Sequence, residues 1–233
     1  WLSIAGAIAY AFSTYFIIIL EAGHITKALA LGYMPPIIGG VYLAYTRKNK
    51  MILGAAITGL FLALQLIVNH LQITYYTLII LVIFGIIQLI DDFVEYQYKK
   101  FFKATAVLVI AAALAVGSNA ASIWLTYDYG KDSMRGKSEL TFEKEKKTTG
   151  LDKDYATRWS YGIDETLTLL IPNFKGGASG GELGENSETY QFFAKNYGPK
   201  QAKKIVKQLP LYWGTQPFTS GPVYVGAIIV FLF

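Results

Sequence analysis

Residues 73–90 read ITYYTLIILVIFGIIQLI, a run of 18 residues without a charged side chain. A hydrophobic run of this length is typical of a helix that crosses a lipid bilayer. A shorter apolar run begins near Pro222, and four further runs have the length of a span: Leu2–Leu20, Ala28–Tyr45, Met51–Val68 and Ala104–Leu125. The pattern predicts a mainly α-helical, polytopic transmembrane bundle of about five spans plus a truncated sixth.

The composition also indicates a membrane protein, and its charges are unevenly distributed. Of 233 residues, 53% are hydrophobic and 16% are charged, which is fewer charges than soluble domains carry. Residues 1–126 hold 7 of the 21 Lys and Arg and 4 of the 16 Asp and Glu, whereas 127–220 hold the rest. We therefore expect a transmembrane region at 1–126, a small α/β or irregular extracytoplasmic domain at 127–220, and the start of a further span at 221–233.

Several classes of function are excluded at this point. The net charge of +5 comes without a basic stripe interleaved with aromatic residues, so no nucleic-acid partner is expected. The absence of cysteine excludes disulfides and thiolate metal sites. No His-Glu-x-x-His motif occurs. Because the chain opens at Trp1 without a basic leader, we expect a fragment of a longer protein.

The charged loops predict the orientation of the spans. Thr46–Lys50 and Asp91–Lys103 are rich in Lys and Arg, and such loops tend to stay in the cytoplasm. The loops Glu21–Lys27 and Asn69–Gln72 and the long segment after Tyr127 then fall outside. In the second span, Pro35-Pro36 predicts a kink or a break, with a simple packing kink as the plainer alternative.

The unusual polar residues gather at the predicted outer face, in EAGHITK (21–27) and NHLQITYY (69–76), which contain both histidines of the chain. Ionisable residues at membrane depth tend to mark substrate or ion pathways. Helix capping and headgroup contact are the alternative for each residue taken singly. If the first segment is helical, Glu21, His24 and Lys27 share one face. We predict a cleft lined by eight residues: Glu21, His24, Lys27, Asn69, His70, Gln72, Tyr75 and Tyr76. A divalent metal ion held by Glu21, His24 and His70 stays open as a weaker alternative.

The extracytoplasmic segment offers a second group of polar residues, Asp152, Asp154 and Arg158. The two carboxylates could serve as a general base or as metal ligands, and Trp159 and Tyr161 could stack on a sugar. Packing of a small domain explains the same aromatics equally well. The Gly-rich stretch Phe174–Gly184 lacks the ending of a phosphate-binding loop and is interpreted as a flexible loop. Two short helices, broken at Gly198-Pro199, are expected within Ser187–Leu209.

Three separated motifs carry a resemblance that runs over essentially the whole chain: Glu-Ala-Gly-His-x-x-Lys with Gly-Tyr-Met-Pro, Asn-His-Leu-Gln-Ile-Thr-Tyr-Tyr, and Leu-Leu-Ile-Pro-Asn-Phe-Lys-Gly-Gly. The sequence resembles the YfhO-like family of bacterial membrane proteins, in its Bacteroidetes-type branch. The resemblance implies a GT-C-type glycosyltransferase of the bacterial inner membrane. Such an enzyme transfers a sugar from a polyprenyl-phosphate donor to an extracytoplasmic glycan, lipid or protein acceptor.

The resemblance also bears on the roles of residues. In GT-C enzymes the key acid usually lies in the first large outer loop, which would precede Trp1. The outer-face residues are therefore assigned to the substrate pocket and not to the chemical step. Two rival functions stay open at this stage. A transporter or flippase would fit the double proline and, weakly, Gln65 and Asn119, and a membrane scaffold would tolerate replacement of the outer-face residues.

Overall fold

The fold is described from a computed structural model of the chain, which covers residues 1–47, 49–131, 153–221 and 223–232. The described residues are mainly helical and contain no strand beyond two isolated bridges. The chain divides into two compact units. The central unit is His24–Gly150, and the terminal unit combines Trp1–Gly23 with Leu151–Phe233.

The central unit contains five helices: α3 (Ile25–Thr46), α4 (Met51–Ile67), α5 (Leu71–Val94), α6 (Tyr98–Ser118) and α7 (Ala120–Lys131). Short connections join the first four, so successive helices run in opposite directions. One end of this bundle, here called the His70 end, contains the start of α3, the α4–α5 turn and the end of α6. The opposite end, the Lys100 end, contains the α3–α4 and α5–α6 turns.

The terminal unit contains α1 (Leu2–Ala11) and α2 (Thr14–Glu21) before the central unit, and shorter elements after it. These are a 3-10 helix at Asp164–Leu169 and the helices α8 (Lys153–Thr157), α9 (Glu188–Tyr197), α10 (Pro199–Ile205) and α11 (Ala227–Leu232). The helices α9 and α10 meet at Gly198, whose φ of 83° favours glycine. The two predicted short helices broken at Gly198-Pro199 are confirmed.

Length and composition make four segments of the described residues able to cross a membrane: Leu2–Glu21, Ile25–Thr46, Leu71–Val94 and Tyr98–Ser118. The mainly helical membrane architecture is therefore confirmed, with four such segments where five were predicted. The helix α4 is apolar but has only 17 residues, the lower limit for a span. The α/β character expected for 127–220 is not seen in its described part.

Three predicted boundaries are wrong in detail. The first span is two helices, because Ser13 has extended backbone between α1 and α2. The predicted loop Asp91–Lys103 is almost entirely helical, since α5 continues to Val94 and α6 begins at Tyr98. The predicted fifth span, Ala104–Leu125, is interrupted at Asn119, where α6 ends. The helix α3, in contrast, continues through Pro35 and Pro36 without a break.

Small residues and aromatic stacking hold the central unit together. A β-carbon on Gly54 of α4 would lie 2.5 Å from the carbonyl oxygen of Gly40 of α3, so the two backbones are in direct contact, as at many membrane helix interfaces. Near the Lys100 end, the ring of Tyr45 stacks on that of Phe101 with centroids 5.2 Å apart. The Tyr45 hydroxyl is 2.9 Å from Thr105 Oγ1, which ties α3 to α6.

Candidate functional site

An elongated apolar cavity of about 700 Å³ lies between α5 and α6 and is closed at its back by α3 and α4. We call it the α5–α6 groove. Its wall on α5 extends from Thr74 to Leu89, which corresponds to about 22 Å at the helical rise of 1.5 Å per residue. The groove therefore follows most of the apolar length of a spanning helix.

Two residues that line the groove on opposite helices have small side chains and leave space beside them. Gly85 on α5 and Ala112 on α6 both line it. A β-carbon on Gly85 would meet no atom within 4 Å, so space remains beside this residue. Leu78, Val82 and Val109 on the rim are each more than half exposed. The groove thus opens sideways along an apolar rim.

The two ends of the groove differ in chemistry. At the Lys100 end it is closed by Tyr45, Phe101 and Thr105. At the His70 end, Thr74 and Tyr75 line it, and the Thr74 Oγ1 is buried without a hydrogen-bond partner. A polar atom in that position can bind a group that enters the groove, because an unsatisfied buried hydroxyl carries a cost in free energy that a partner removes.

Of the predicted residues in 69–76, Tyr75 lines the groove, and the others lie in the α4–α5 turn and the first turns of α5. Asn69 Nδ2 donates to Thr126 Oγ1 over 2.8 Å, which ties the turn to α7. His70 is half-buried and precedes the first turn of α5, where its carbonyl oxygen accepts from the amide of Ile73. On the first turns of α5, Gln72 Nε2 donates to the Tyr76 hydroxyl over 2.7 Å.

The residues of the first outer loop are arranged differently from the prediction. Glu21 ends α2, Gly23 follows with a φ of 78°, and His24 is the non-helical residue before α3. The segment is therefore not one helix, and a common helical face of Glu21, His24 and Lys27 does not form. His24 is exposed and Lys27 half-buried in the central unit, whereas Glu21 belongs to the terminal unit.

The acidic and basic candidates within 152–158 are only partly described. Asp152 lies outside the described residues. Asp154 is exposed on α8, and the exposed guanidinium of Arg158 lies 5.7 Å from the centroid of the Trp159 ring. Within the described ranges, no three His, Asp or Glu side chains converge to hold a metal ion. The metal alternative involving Glu21, His24 and His70 therefore gains no support there.

Sequence reasoning missed a polar cluster in the terminal unit around Glu165, which is buried. Its Oε1 accepts from the Tyr212 hydroxyl, and its Oε2 accepts from the Gly162 amide over 3.2 Å. Burial, and then the bond to Glu165, raise the pKa of Tyr212 to about 12. Since both carboxylate oxygens have partners, this cluster stabilises the unit. Glu165 and Tyr212 are 47 residues apart in sequence, and no local pattern connects them.

The Gly-rich stretch is also more ordered than predicted. The Gly177 amide donates to the Leu211 carbonyl over 2.9 Å, and the Trp213 amide donates to the Lys175 carbonyl over 2.8 Å. A β-carbon on Gly176 would overlap the Leu211 carbonyl oxygen. The glycines therefore allow close backbone pairing, and the flexible-loop interpretation is wrong for this part of the chain.

Comparison with known proteins leaves the function to be argued from these residues alone. No family model matches the chain, and neither a curated protein nor a solved structure does.

Proposed function

We propose that this chain is part of a membrane-embedded glycosyltransferase of the bacterial inner membrane that uses a polyprenyl-phosphate-linked sugar, the activity that the resemblance to the YfhO-like family implies. The observation that supports it is the α5–α6 groove. A polyprenyl donor combines a long, methyl-branched apolar chain with a phosphosugar at one end. An apolar groove of about 22 Å with an unpartnered hydroxyl, Thr74 Oγ1, at its His70 end matches that combination.

In this proposal the isoprenoid chain lies in the groove and the phosphate lies at the His70 end, on the extracytoplasmic side. Thr74 and Tyr75 contact the first isoprene units. His70 and Lys27 supply positive charge for the departing phosphate, because negative charge develops there in the transition state. His24, Asn69, Gln72 and Tyr76 complete the pocket. In the extracytoplasmic domain, Asp152, Asp154 and Arg158 serve the glycan, lipid or protein acceptor.

A packing role accounts for the two polar residues that the transporter alternative invoked. Gln65, in the last turn of α4, and Asn119, at the end of α6, are the polar residues that weakly fitted it. Gln65 Nε2 donates to the Ala30 carbonyl over 2.8 Å, and Asn119 Nδ2 donates to the Ala63 carbonyl over 3.2 Å. Both amides thus join helices to one another, which is a packing role common in membrane bundles.

The test uses the full-length protein in nanodiscs, with radiolabelled polyprenyl-phosphate sugars of long and short chain length. Gly85→Leu places a side chain into the groove, whereas Gly117→Leu is a matched control on α6, outside the groove and equally free of clashes. We expect Gly85→Leu to raise KM for the long-chain donor about tenfold or more and to leave the short-chain donor unchanged. Equal kinetics for the two variants, or no transfer from any donor, would contradict the proposal.

A further inference from the structure

A second polar site lies at the Lys100 end of the bundle, at the opposite end from the proposed donor mouth. Its central residue is Asp92, in the last turn of α5, which is 1% exposed. The Asp92 Oδ1 accepts from Gln88 Nε2 over 3.1 Å and lies 3.6 Å from Lys100 Nζ. The Asp92 Oδ2 is buried and has no hydrogen-bond partner. A buried carboxylate oxygen without a donor is costly, so this atom favours a ligand that brings one.

Two adjoining cavities meet at this site, and they differ in charge. One, of about 310 Å³, is lined by Asp92, Asp91, Glu95 and Lys100, and so has three carboxylates against one ammonium. The other, of about 520 Å³, is lined by Arg47 and again Lys100, with no carboxylate. The first cavity therefore favours a cation and the second an anion, and the two share Thr46 and Lys100 as lining residues.

The surroundings of the site indicate a lipid. It lies at the ends of apolar helices, the level at which headgroups are found. Ile90, Phe93 and Val94, on the last two turns of α5, are all more than half exposed and offer apolar surface to acyl chains. Tyr96 and Tyr98 are exposed in and beside the α5–α6 turn, as is typical of the aromatic belt at a membrane interface.

From this geometry we propose that the Lys100 end binds a phospholipid with a primary ammonium headgroup, phosphatidylethanolamine. The ammonium donates to Asp92 Oδ2 in the acidic cavity. The phosphate lies against Lys100 and Arg47 in the basic cavity, where a guanidinium suits phosphate oxygens. Recognition depends on hydrogen bonds donated by the N–H groups of the ammonium. A quaternary ammonium has the same charge but no N–H group, so it cannot replace the primary ammonium. This proposal is independent of the glycosyltransferase activity.

The first measurement uses the full-length protein in nanodiscs that contain equal amounts of phosphatidylethanolamine and phosphatidylcholine, with native mass spectrometry of the lipids that stay bound. We expect about a tenfold preference for phosphatidylethanolamine, the size of one charge-assisted hydrogen bond. The monomethylated headgroup, which keeps N–H donors, should be retained almost as well. Equal retention of the three lipids by the wild-type protein would overturn the proposal, and this arm needs no variant.

Substitutions test the ammonium contact and the phosphate contact of the headgroup separately. Asp92→Asn should abolish the preference for phosphatidylethanolamine, whereas Asp128→Asn, an exposed acid on α7, should keep it. Arg47→Gln should weaken retention of both lipids and preserve their ratio, with Lys99→Gln as its control for charge. A preference that survives Asp92→Asn would refute the role of this carboxylate. Displacement of the bound lipid by free phosphoethanolamine at equal concentration would refute the claim that the ligand is a lipid and would indicate a soluble ligand.

Discussion

Gly40 of α3 lies so close to Thr58 of α4 that a β-carbon on the glycine would be 2.5 Å from the threonine Oγ1. The neighbouring Gly39 has no atom within 4 Å of the same hypothetical carbon. Of the glycine pair that the sequence presents, therefore, only one residue makes the interhelical contact. This contact brings α3 and α4 together at the back of the α5–α6 groove.

We expect Gly40→Ala to lower the free energy of unfolding by about 1–3 kcal/mol, because overpacking forces two backbones apart. Gly39→Ala is the control, since it makes the same chemical change one residue away in open space. Denaturant titration of the helical circular dichroism signal measures both. If Gly39→Ala lost the same stability as Gly40→Ala, the contact with Thr58 would not be the cause, because helix propensity alone favours alanine over glycine at both positions.

Two threonines on α5 should respond in opposite ways to replacement by valine. Thr74 Oγ1 has no partner, so Thr74→Val should leave the free energy of unfolding unchanged or raise it by up to about 1 kcal/mol. Thr77 Oγ1 donates to the Ile73 carbonyl and lies 3.3 Å from Gln65 Nε2. Thr77→Val should therefore cost about 1 kcal/mol. The same titration tests the pair, and an equal loss in both would contradict the assignment of the Thr74 hydroxyl.

His70 should matter more to sugar transfer than His24, because it is half-buried beside the groove mouth whereas His24 is exposed. On the proposed function, His70→Ala should raise KM for the polyprenyl donor about tenfold through loss of one charge-assisted contact. His24→Ala should have a smaller effect. Steady-state transfer kinetics with the full-length protein compare them, and a larger effect at His24 would relocate the phosphate site.

The Glu165–Tyr212 contact should make stability depend on pH at the alkaline end. Because the folded pKa of Tyr212 is raised to about 12 above an ordinary value of about 10, its contribution to stability is fully present below pH 10. The contribution is lost as pH rises from about 10 to about 12. Tyr212→Phe should remove this dependence and leave Glu165 Oε1 without its donor, at a cost of about 1–3 kcal/mol. Thermal unfolding as a function of pH measures both, and an unchanged alkaline slope would refute the pairing.

Lys175 should control the titration of Asp164. Its ammonium bonds the carboxylate and lowers the pKa of Asp164 below its ordinary value, so the contribution is present above about pH 3.9 and is lost as pH falls through the lowered value. Lys175→Gln should raise the pKa of Asp164 toward normal. Lys203→Gln is the control, because Lys203 pairs with Glu185 in the same unit. Carboxyl NMR titration follows Asp164, and an equal shift in both variants would exclude a specific effect.

The apolar helices could be predicted from sequence because a bilayer-length run of hydrophobic residues is a local property. The helix α3 was expected at Ala28–Tyr45 and is found at Ile25–Thr46. The predicted helix ends are wrong where contacts with distant parts of the chain determine them. Asp91 and Asp92 were expected in a loop, yet α5 includes them, since Gln88 and Lys100 lie beside the Asp92 carboxylate. Asn119 ends α6 and bonds α4 at Ala63, a contact that spans 56 residues.

The sequence by itself thus determined a mainly helical membrane protein and the approximate positions of its spans, because hydrophobic length needs no partner to be recognised. Only the tertiary structure decided that α3 and α4 touch through Gly40, that α5 and α6 leave a groove beside Gly85, and that Asp92 is buried with one oxygen unsatisfied. These features depend on which side chains from distant parts of the chain meet and how well their volumes match. Shape complementarity of that kind has no counterpart in a local run of residues.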